Sequence, residues 1–230
     1  MNKLFLAFSF LMVLTSCTAK YKINGESSLA RLDGKKLFLK IFNDGQMTSV
    51  DSAEVVHGLF TMKGKLDSSV MVMLYMDDMS IMPLILEKGN INIRIDNANI
   101  LANGTPLNDR LYEFFSKKNS LDERADELER REAQLIMDGA NVDEIQHKLR
   151  QEEESLNEEM NELVKSFIMA NYENVLGPGI FVMFNNPYPV MPPVMEEIFK
   201  DAPESFKNNY LVKDYLVRVK EYEKRMNERH

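Results

Sequence analysis

The chain has 230 residues, of which 44% are hydrophobic and 28% are charged, and its formal net charge is −8. These values describe a folded chain with one large core or two modest ones, exclude global disorder, and argue against a general nucleic-acid binder. A single cysteine and three histidines exclude an internal disulfide, a CxxC redox pair and a cysteine-rich zinc site.

The first seventeen residues have the pattern of an export signal. Lys3 precedes an apolar run from Leu4 to Leu14 that is too short to span a membrane. Leu14-Thr15-Ser16-Cys17 resembles the bacterial lipobox. That resemblance implies that residues 1–16 are a signal peptide and that Cys17 carries acyl chains, palmitate among them. An ordinary signal peptide and an uncleaved anchor remain the alternatives.

The segment after Cys17 bears on which face of the membrane the protein occupies. Thr18 to Lys22 is a short polar tether without acidic residues. Some surface-exported lipoproteins carry an acidic tag directly after the cysteine, and this chain has none at that place. We therefore expect a lipid-anchored protein of the cell envelope, at the periplasmic face of the outer membrane rather than at the cell surface.

Residues 17–104 have the pattern of an antiparallel β-sandwich. Asn90–Asp96 alternates strictly between polar and apolar residues, and Val70–Met76 is continuously apolar, as in a strand covered on both faces. His57-Gly58 and Asp77-Asp78 stand where two-residue hairpin turns are expected, since these residue types tolerate positive φ or favour turns.

From Thr105 the periodicity becomes helical, with Thr105 as the expected N-cap and Pro106 at the first helical position. The break at residues 138–141 predicts an antiparallel helical hairpin over residues 105–172, and a short helical cap follows over residues 173–230. The predicted fold class is α+β. Leucines spaced seven apart mark the seam between the arms: Leu121, Leu128 and Leu135 in the first, and Leu149, Leu156 and Leu163 in the second.

Several short pieces of the strand half together resemble a known family. They are Tyr21–Gly25, Asp51–Val55, Gly58–Gly64, Glu87–Ile91 and Asn103–Asn108. In this order and spacing they resemble the domain of unknown function of the DUF4369 type, which precedes a thioredoxin fold in many lipoproteins of the Bacteroidetes. Those relatives carry a Trp-Cys-x-x-Cys motif. Because this chain has no tryptophan and no second cysteine, the resemblance implies at most an indirect redox role.

The methionines suggest a copper site, because soft thioethers select Cu(I). Five of them fall within twelve residues: Met71, Met73, Met76, Met79 and Met82. In a strand, however, Met71 and Met73 share a face with Tyr75 while Met76 lies opposite, and no histidine is near. Methionine as adaptable core filler is the simpler interpretation, so we expect no metal and no other cofactor.

Four further features bear on possible sites. Asp51-Ser52-Ala53 is similar to the short O-glycosylation sequon of Bacteroidetes periplasmic proteins, which makes Ser52 a possible acceptor if the chain is exported. The proline-rich segment 186–193 offers either an exposed apolar contact or a rigid linker. Acidic runs such as Gln151–Glu154 are expected to be solvated helix faces, and His57 and His147 are expected to lie in a turn and on the surface.

The sequence contains no recognisable catalytic set, and we expect a protein that is not an enzyme. The predicted role is a non-catalytic binding or scaffold module. Its expected partners are the membrane, through lipidated Cys17, and an unknown protein or a second copy of the chain, with no nucleic acid. Two alternatives stay open: a detached accessory subunit of a thiol–disulfide system whose thioredoxin-like domain is on another chain, and a small-ligand carrier that uses the sheet domain.

Overall fold

Eight strands precede six α-helices in the computed structural model, which describes residues 19–43, 46–139, 141–185 and 191–228. Only the backbone is described for residues 43 and 142–148. The strands are β1 (Ala19–Ser27), β2 (Lys36–Asn43), β3 (Gln46–Glu54), β4 (Leu59–Leu66), β5 (Val70–Met76), β6 (Met79–Leu86), β7 (Gly89–Ile95) and β8 (Ile100–Asn103). The helices are α1 (Pro106–Met137), α2 (Val142–Ala170), α3 (Leu176–Asn185), α4 (Pro193–Asp201), α5 (Glu204–Lys207) and α6 (Tyr210–Asn227).

The strands form two four-stranded sheets, as the predicted α+β class with an amino-terminal sandwich requires. Sheet A has the order β4-β1-β7-β8, and sheet B has the order β3-β2-β5-β6. Every pairing of named strands is antiparallel except that of β1 with β7, which is parallel and places Ile23 beside Ile91. The alternation of residues along a strand does not report its neighbour, so this exception was not predictable from periodicity.

The sandwich core is built from the inward-facing residues of both sheets. Alternate residues of β1 and β7 point inward, and Ile23, Ile91 and Ile93 are at most 2% exposed. Sheet B contributes Leu39 and Leu74 to the same cluster of buried residues. This cluster accounts for the period-two pattern, because only one face of each strand of sheet A is covered.

The turns agree with their residue types. His57 and Gly58 both have positive φ, 51° and 75°, and Val56 pairs with Leu59 across them. Positive φ at both central residues gives a hairpin turn whose twist matches that of the flanking strands. Asp77, with φ of 53°, occupies the predicted turn between β5 and β6.

Helices α1 and α2 run antiparallel, as the break at residues 138–141 indicates. Gly139 has a φ of 76° just past the end of α1, and Arg124 of α1 contacts Glu159 of α2 at 2.6 Å. Further along the hairpin, Arg131 pairs with Glu152. All six seam leucines are buried or half-buried, so the seven-residue spacing does mark the contact between the arms.

The helical cap packs on the base of the hairpin and on one strand of sheet B. A second cluster of buried residues joins Phe114 of α1, Ile168 of α2 and Phe181 of α3 to Ile85 of β6. Gly177-Pro178-Gly179 lies in the first turn of α3. Glycine is required there because a Cβ at Gly177 would stand 2.4 Å from the Asn171 carbonyl oxygen.

Candidate functional site

The most buried polar residues of the sandwich lie where β6 meets the start of α1. Glu87, 7% exposed, accepts hydrogen bonds from the backbone N–H groups of Leu107 at 2.8 Å and Asn108 at 3.0 Å. These groups belong to the first turn of a helix, which has no partners of its own for them. The Asn108 side chain accepts from the Ile85 N–H at 2.9 Å and donates to the Ile85 carbonyl at 2.8 Å, as a neighbouring strand would.

This junction assigns a structural role to two of the sequence pieces that carry the family resemblance. Glu87–Ile91 and Asn103–Asn108 meet in it, since Asn108 also donates to Thr105 Oγ1 at 2.9 Å. Asn108 completes the edge of β6, and Glu87 holds the amino end of α1 against it. The pair of pieces therefore fixes the angle at which the hairpin leaves the sandwich.

The remaining sequence pieces of the family resemblance also contact one another in the folded chain. The Tyr21 ring lies over Gly64, where a Cβ would stand 2.6 Å from the hydroxyl, and the Phe60 ring lies over Gly25, where a Cβ would stand 2.0 Å from the ring. Tyr21 also donates a hydrogen bond at 2.8 Å to Asp51, which joins sheet A to sheet B. The residues of the resemblance are thus determinants of the fold, and they form no cluster of reactive groups.

Of the two predicted modification sites, Cys17 and Ser52, the structure describes only Ser52. Cys17 lies outside the described residues. Ser52 lies half-buried in β3, which is an edge strand of sheet B. Its backbone N–H donates to the Asp51 carboxylate at 2.7 Å, so Asp51 has a structural role beside any role in the sequon.

An open groove of about 340 Å³ separates the outer face of sheet B from the helical cap. We call it the sheet–cap groove. Apolar side chains form most of its wall, and two cationic side chains stand among them. The lining includes Lys40, Phe42, Met71, Met73, Tyr75, Val182, Met183 and Arg218.

The cations of the sheet–cap groove sit against aromatic rings. The Lys40 ammonium lies 4.5 Å from the centre of the Tyr75 ring, and the Arg218 guanidinium lies 5.5 Å from that of Phe42. Arg218 is also 3.2 Å from Asp214, which offsets its charge. Among the described residues no carboxylate forms an ion pair with Lys40, so Lys40 supplies the net positive charge of the groove.

Four of the five methionines divide between two environments, as the strand pattern predicts, and Met79 is 50% exposed at the start of β6. Met71 and Met73 line the sheet–cap groove with Tyr75, whereas Met76 and Met82 are buried in the sandwich core. Within the described residues, no group of three or more His, Cys, Asp and Glu side chains is arranged to hold a metal ion. The groove is not predictable from sequence patterns, because its two walls come from segments a hundred or more residues apart in the chain.

Most of the hairpin extends beyond the two clusters of buried residues. Phe114 is the last buried residue of α1, and the 23 residues after it, up to Met137, cover about 35 Å. At the end of this arm Ile136 is 48% exposed and Met137 is 74% exposed. Most of the proline-rich segment, residues 186–190, lies outside the described residues, as does the side chain of His147.

None of the described helices has the length and apolar content needed to cross a membrane. Among protein families, the model of the domain of unknown function DUF4369 matches residues 21–111. The matched segment runs from within β1 to the second turn of α1, so it ends just beyond the junction of Glu87 and Asn108. No curated protein matches the chain.

Proposed function

From the match of residues 21–111 to the DUF4369 model, we propose that the chain is a lipid-anchored, non-catalytic binding module of the cell envelope. Its anchor is Cys17, and it faces the periplasm from the outer membrane. The observation that carries the binding role is the sheet–cap groove. A concave, mostly apolar surface with a few charged groups is the usual form of a small-molecule site.

The chemistry of the groove defines the class of ligand. Its apolar wall accommodates an apolar body, and Lys40 favours one anionic group at the position beside Tyr75. An amphiphile with a single carboxylate or phosphate meets both conditions. This proposal places the ligand outside the sandwich, because the sandwich interior is filled by its own side chains.

Thermal unfolding with matched amphiphiles tests the groove. Decanoate should raise the unfolding midpoint, because a ligand that binds only the folded chain stabilises it by mass action. Decylamine has the same chain length and the opposite charge, and it should give a smaller shift. Lys40→Glu should abolish the preference, and Lys35→Glu, at an exposed position, should retain it. Equal shifts from the two amphiphiles would exclude the proposed ligand class.

A second candidate is the scaffold role, and the exposed apolar tip of the hairpin favours it. Ile136 and Met137 are apolar, and their own chain leaves much of these two side chains exposed. A partner that binds at the tip of the hairpin would cover them. A photo-crosslinking residue at Met137, with a second one at Met73 as the groove control, would capture contacts in living cells.

The captured molecule decides between the open roles. Envelope proteins captured at Met137 would support the scaffold role, and a thioredoxin-like chain would support the accessory subunit of a thiol–disulfide system. A second copy of the chain would indicate self-association. If position 137 captures nothing while position 73 captures a small molecule, the ligand-carrier role remains and the scaffold role is wrong.

Lipidation has its own test. The chain from cells fed labelled palmitate should carry the label and sediment with membranes, and Cys17→Ser should do neither.

Export also makes Ser52 available for glycosylation. The intact mass of the purified chain should then exceed the mass of the Ser52→Ala variant by the mass of a glycan. A mass difference that the serine-to-alanine change alone explains would exclude glycosylation of Ser52.

A further inference from the structure

A group of lysines lies on the outer face of sheet A, where strand register brings them together. Lys20 of β1 stands directly opposite Lys65 of β4, and Lys22 stands opposite Lys63. All four side chains are exposed. The exposed Lys88 precedes Gly89, which pairs with Tyr21, so Lys88 lies beside β1 near the level of Lys20. We call these five residues the lysine face.

Like charges directly opposite each other destabilise a strand pair, so this arrangement has a cost. Within the described part of the chain, none of the five lysines forms an ion pair with a carboxylate. At the opposite end of the same face, by contrast, Arg94 and Glu26 form one at 2.6 Å. The positive charge is therefore concentrated at the end of the sheet where β1 begins, in a chain whose formal net charge is −8.

Protection of a sheet edge explains only part of this pattern. Lysines on an edge strand discourage pairing with other chains, and β4 is an edge of sheet A. The strand β1, however, lies between β4 and β7 and presents no free edge. Lys20 and Lys22 on β1 therefore need another explanation, and an anionic partner supplies one.

The position of the lysine face in the chain identifies that partner as a membrane. Lys20 is three residues after Cys17, and three residues span at most about 11 Å. This step rests on the lipidation proposed above. An anchored Cys17 then holds Lys20, the first residue of the lysine face, within roughly one and a half Debye lengths of the lipid headgroups at physiological salt, and basic residues so close to a membrane surface attract anionic lipids.

We propose that the lysine face binds the anionic phospholipid headgroups of the membrane that carries the chain. The sandwich then lies with the amino-terminal end of β1 and its neighbour β4 against the bilayer. Each lysine interacts with headgroup phosphates through its charge, without a defined pocket. The lipid anchor determines which membrane the protein joins, and the lysine face determines how the protein is oriented on it.

Sedimentation with lipid vesicles tests the proposal without the anchor. The protein is the unlipidated chain of residues 17–230 with Cys17→Ser; both clusters of buried residues lie within residues 21–219 and remain complete. Vesicles of phosphatidylcholine alone are compared with vesicles that also contain phosphatidylglycerol. We expect sedimentation with the anionic vesicles only, and weaker sedimentation as salt rises.

Two quadruple variants with the same change in net charge separate position from charge. The first replaces four of the five lysines of the lysine face, with K20Q, K22Q, K63Q and K65Q, and should lower partitioning to anionic vesicles roughly 10-fold or more. The control carries K35Q, K200Q, K213Q and K220Q, at exposed lysines elsewhere, and should retain most of the binding. The first variant should also unfold at an equal or higher temperature, because it removes two like-charge pairs.

Several outcomes would overturn the proposal. Equal losses in the two variants would show that overall charge alone governs binding, and equal binding to both kinds of vesicle would show that headgroup charge is irrelevant. Release from anionic vesicles by inorganic phosphate, but not by a chloride salt of equal ionic strength, would indicate a discrete phosphate site instead. Tighter binding to duplex DNA than to vesicles would assign the face to nucleic acid. Because the chain used is unlipidated, a failure of Cys17 lipidation in cells does not alter these results.

Discussion

At the scale of single residues, the best-defined contribution to stability is the Glu87 carboxylate. Glu87→Ala leaves the Leu107 and Asn108 N–H groups without their acceptor at a buried helix end. We expect a loss of about 2–3 kcal/mol in the free energy of unfolding, measured by urea denaturation. Glu87→Gln keeps one oxygen acceptor and should lose less. Glu123→Ala, at an exposed position on α1, is the control and should be within about 0.5 kcal/mol of the parent; an equal effect at both positions would contradict this role.

A second residue, Tyr112, makes stability depend on alkaline pH. Its hydroxyl donates to the Pro83 carbonyl at 2.8 Å, and burial raises the pKa of Tyr112 above its ordinary value of about 10. Stability is therefore complete below about pH 10 and falls as the pH rises towards the folded pKa, because the unfolded chain ionises first.

The expected slope for Tyr112 is at most about 1.4 kcal/mol per pH unit. Tyr112→Phe loses the bond to Pro83 at neutral pH, but its free energy of unfolding should fall less steeply between about pH 10 and 11. Urea denaturation at a series of pH values measures both slopes. Parallel slopes for the two proteins would show that burial of this phenol is not the cause.

At the scale of elements, the hairpin should tolerate changes of length that preserve its register. Arg124 with Glu159 and Arg131 with Glu152 show that positions 125–131 of α1 face positions 152–158 of α2. Removing both seven-residue segments keeps the leucine seam aligned and shortens each arm by about 10 Å.

We expect this matched deletion to change the thermal unfolding midpoint by less than roughly 4 °C, since the segments lie away from both cores. Removing only residues 125–131 shifts one arm against the other, and should lower the helical signal in circular dichroism by more than the loss of seven residues explains. A matched deletion as damaging as the single one would indicate that the distal arms support the fold.

At the scale of the whole molecule, the sandwich and the helical cap are joined through β6. Ile85 is fully buried in the cluster of the cap, whereas its neighbours Leu84 and Leu86 belong to the sandwich core. Tyr112 packs against both clusters. We therefore expect the two parts to unfold as one unit.

Ile85→Ala tests this coupling, and should cost about 2–5 kcal/mol because it leaves a cavity at the shared strand. Native-state hydrogen exchange should then show an equal loss of protection in β7, within the sandwich, and in α6, within the cap. Ile100→Ala, at a side chain 43% exposed on β8, is the control and should leave both unchanged. A loss confined to α6 would show that the sandwich is independently stable.

Local signals account for the features that were predictable. The positive-φ turn at His57-Gly58, the start of α1 at Thr105-Pro106 and the end of α1 near Gly139 each depend on the conformational preferences of one or two residues. The facing of Met71 and Met73 away from Met76 follows from strand geometry alone. The DUF4369 resemblance is confirmed over residues 21–111, and the α+β class is confirmed with it.

The sequence by itself therefore determined the kinds of elements and their order, because these depend on the preferences of near neighbours in the chain, and the order and spacing of its short pieces indicated the DUF4369 resemblance over residues 21–111. Only the tertiary structure decided the parallel pairing of β1 with β7, the capping of α1 by Glu87, the sheet–cap groove and the lysine face. Each of these joins residues twenty or more positions apart or depends on strand register. Periodicity specifies which face of an element is apolar, and only packing specifies which other element that face meets.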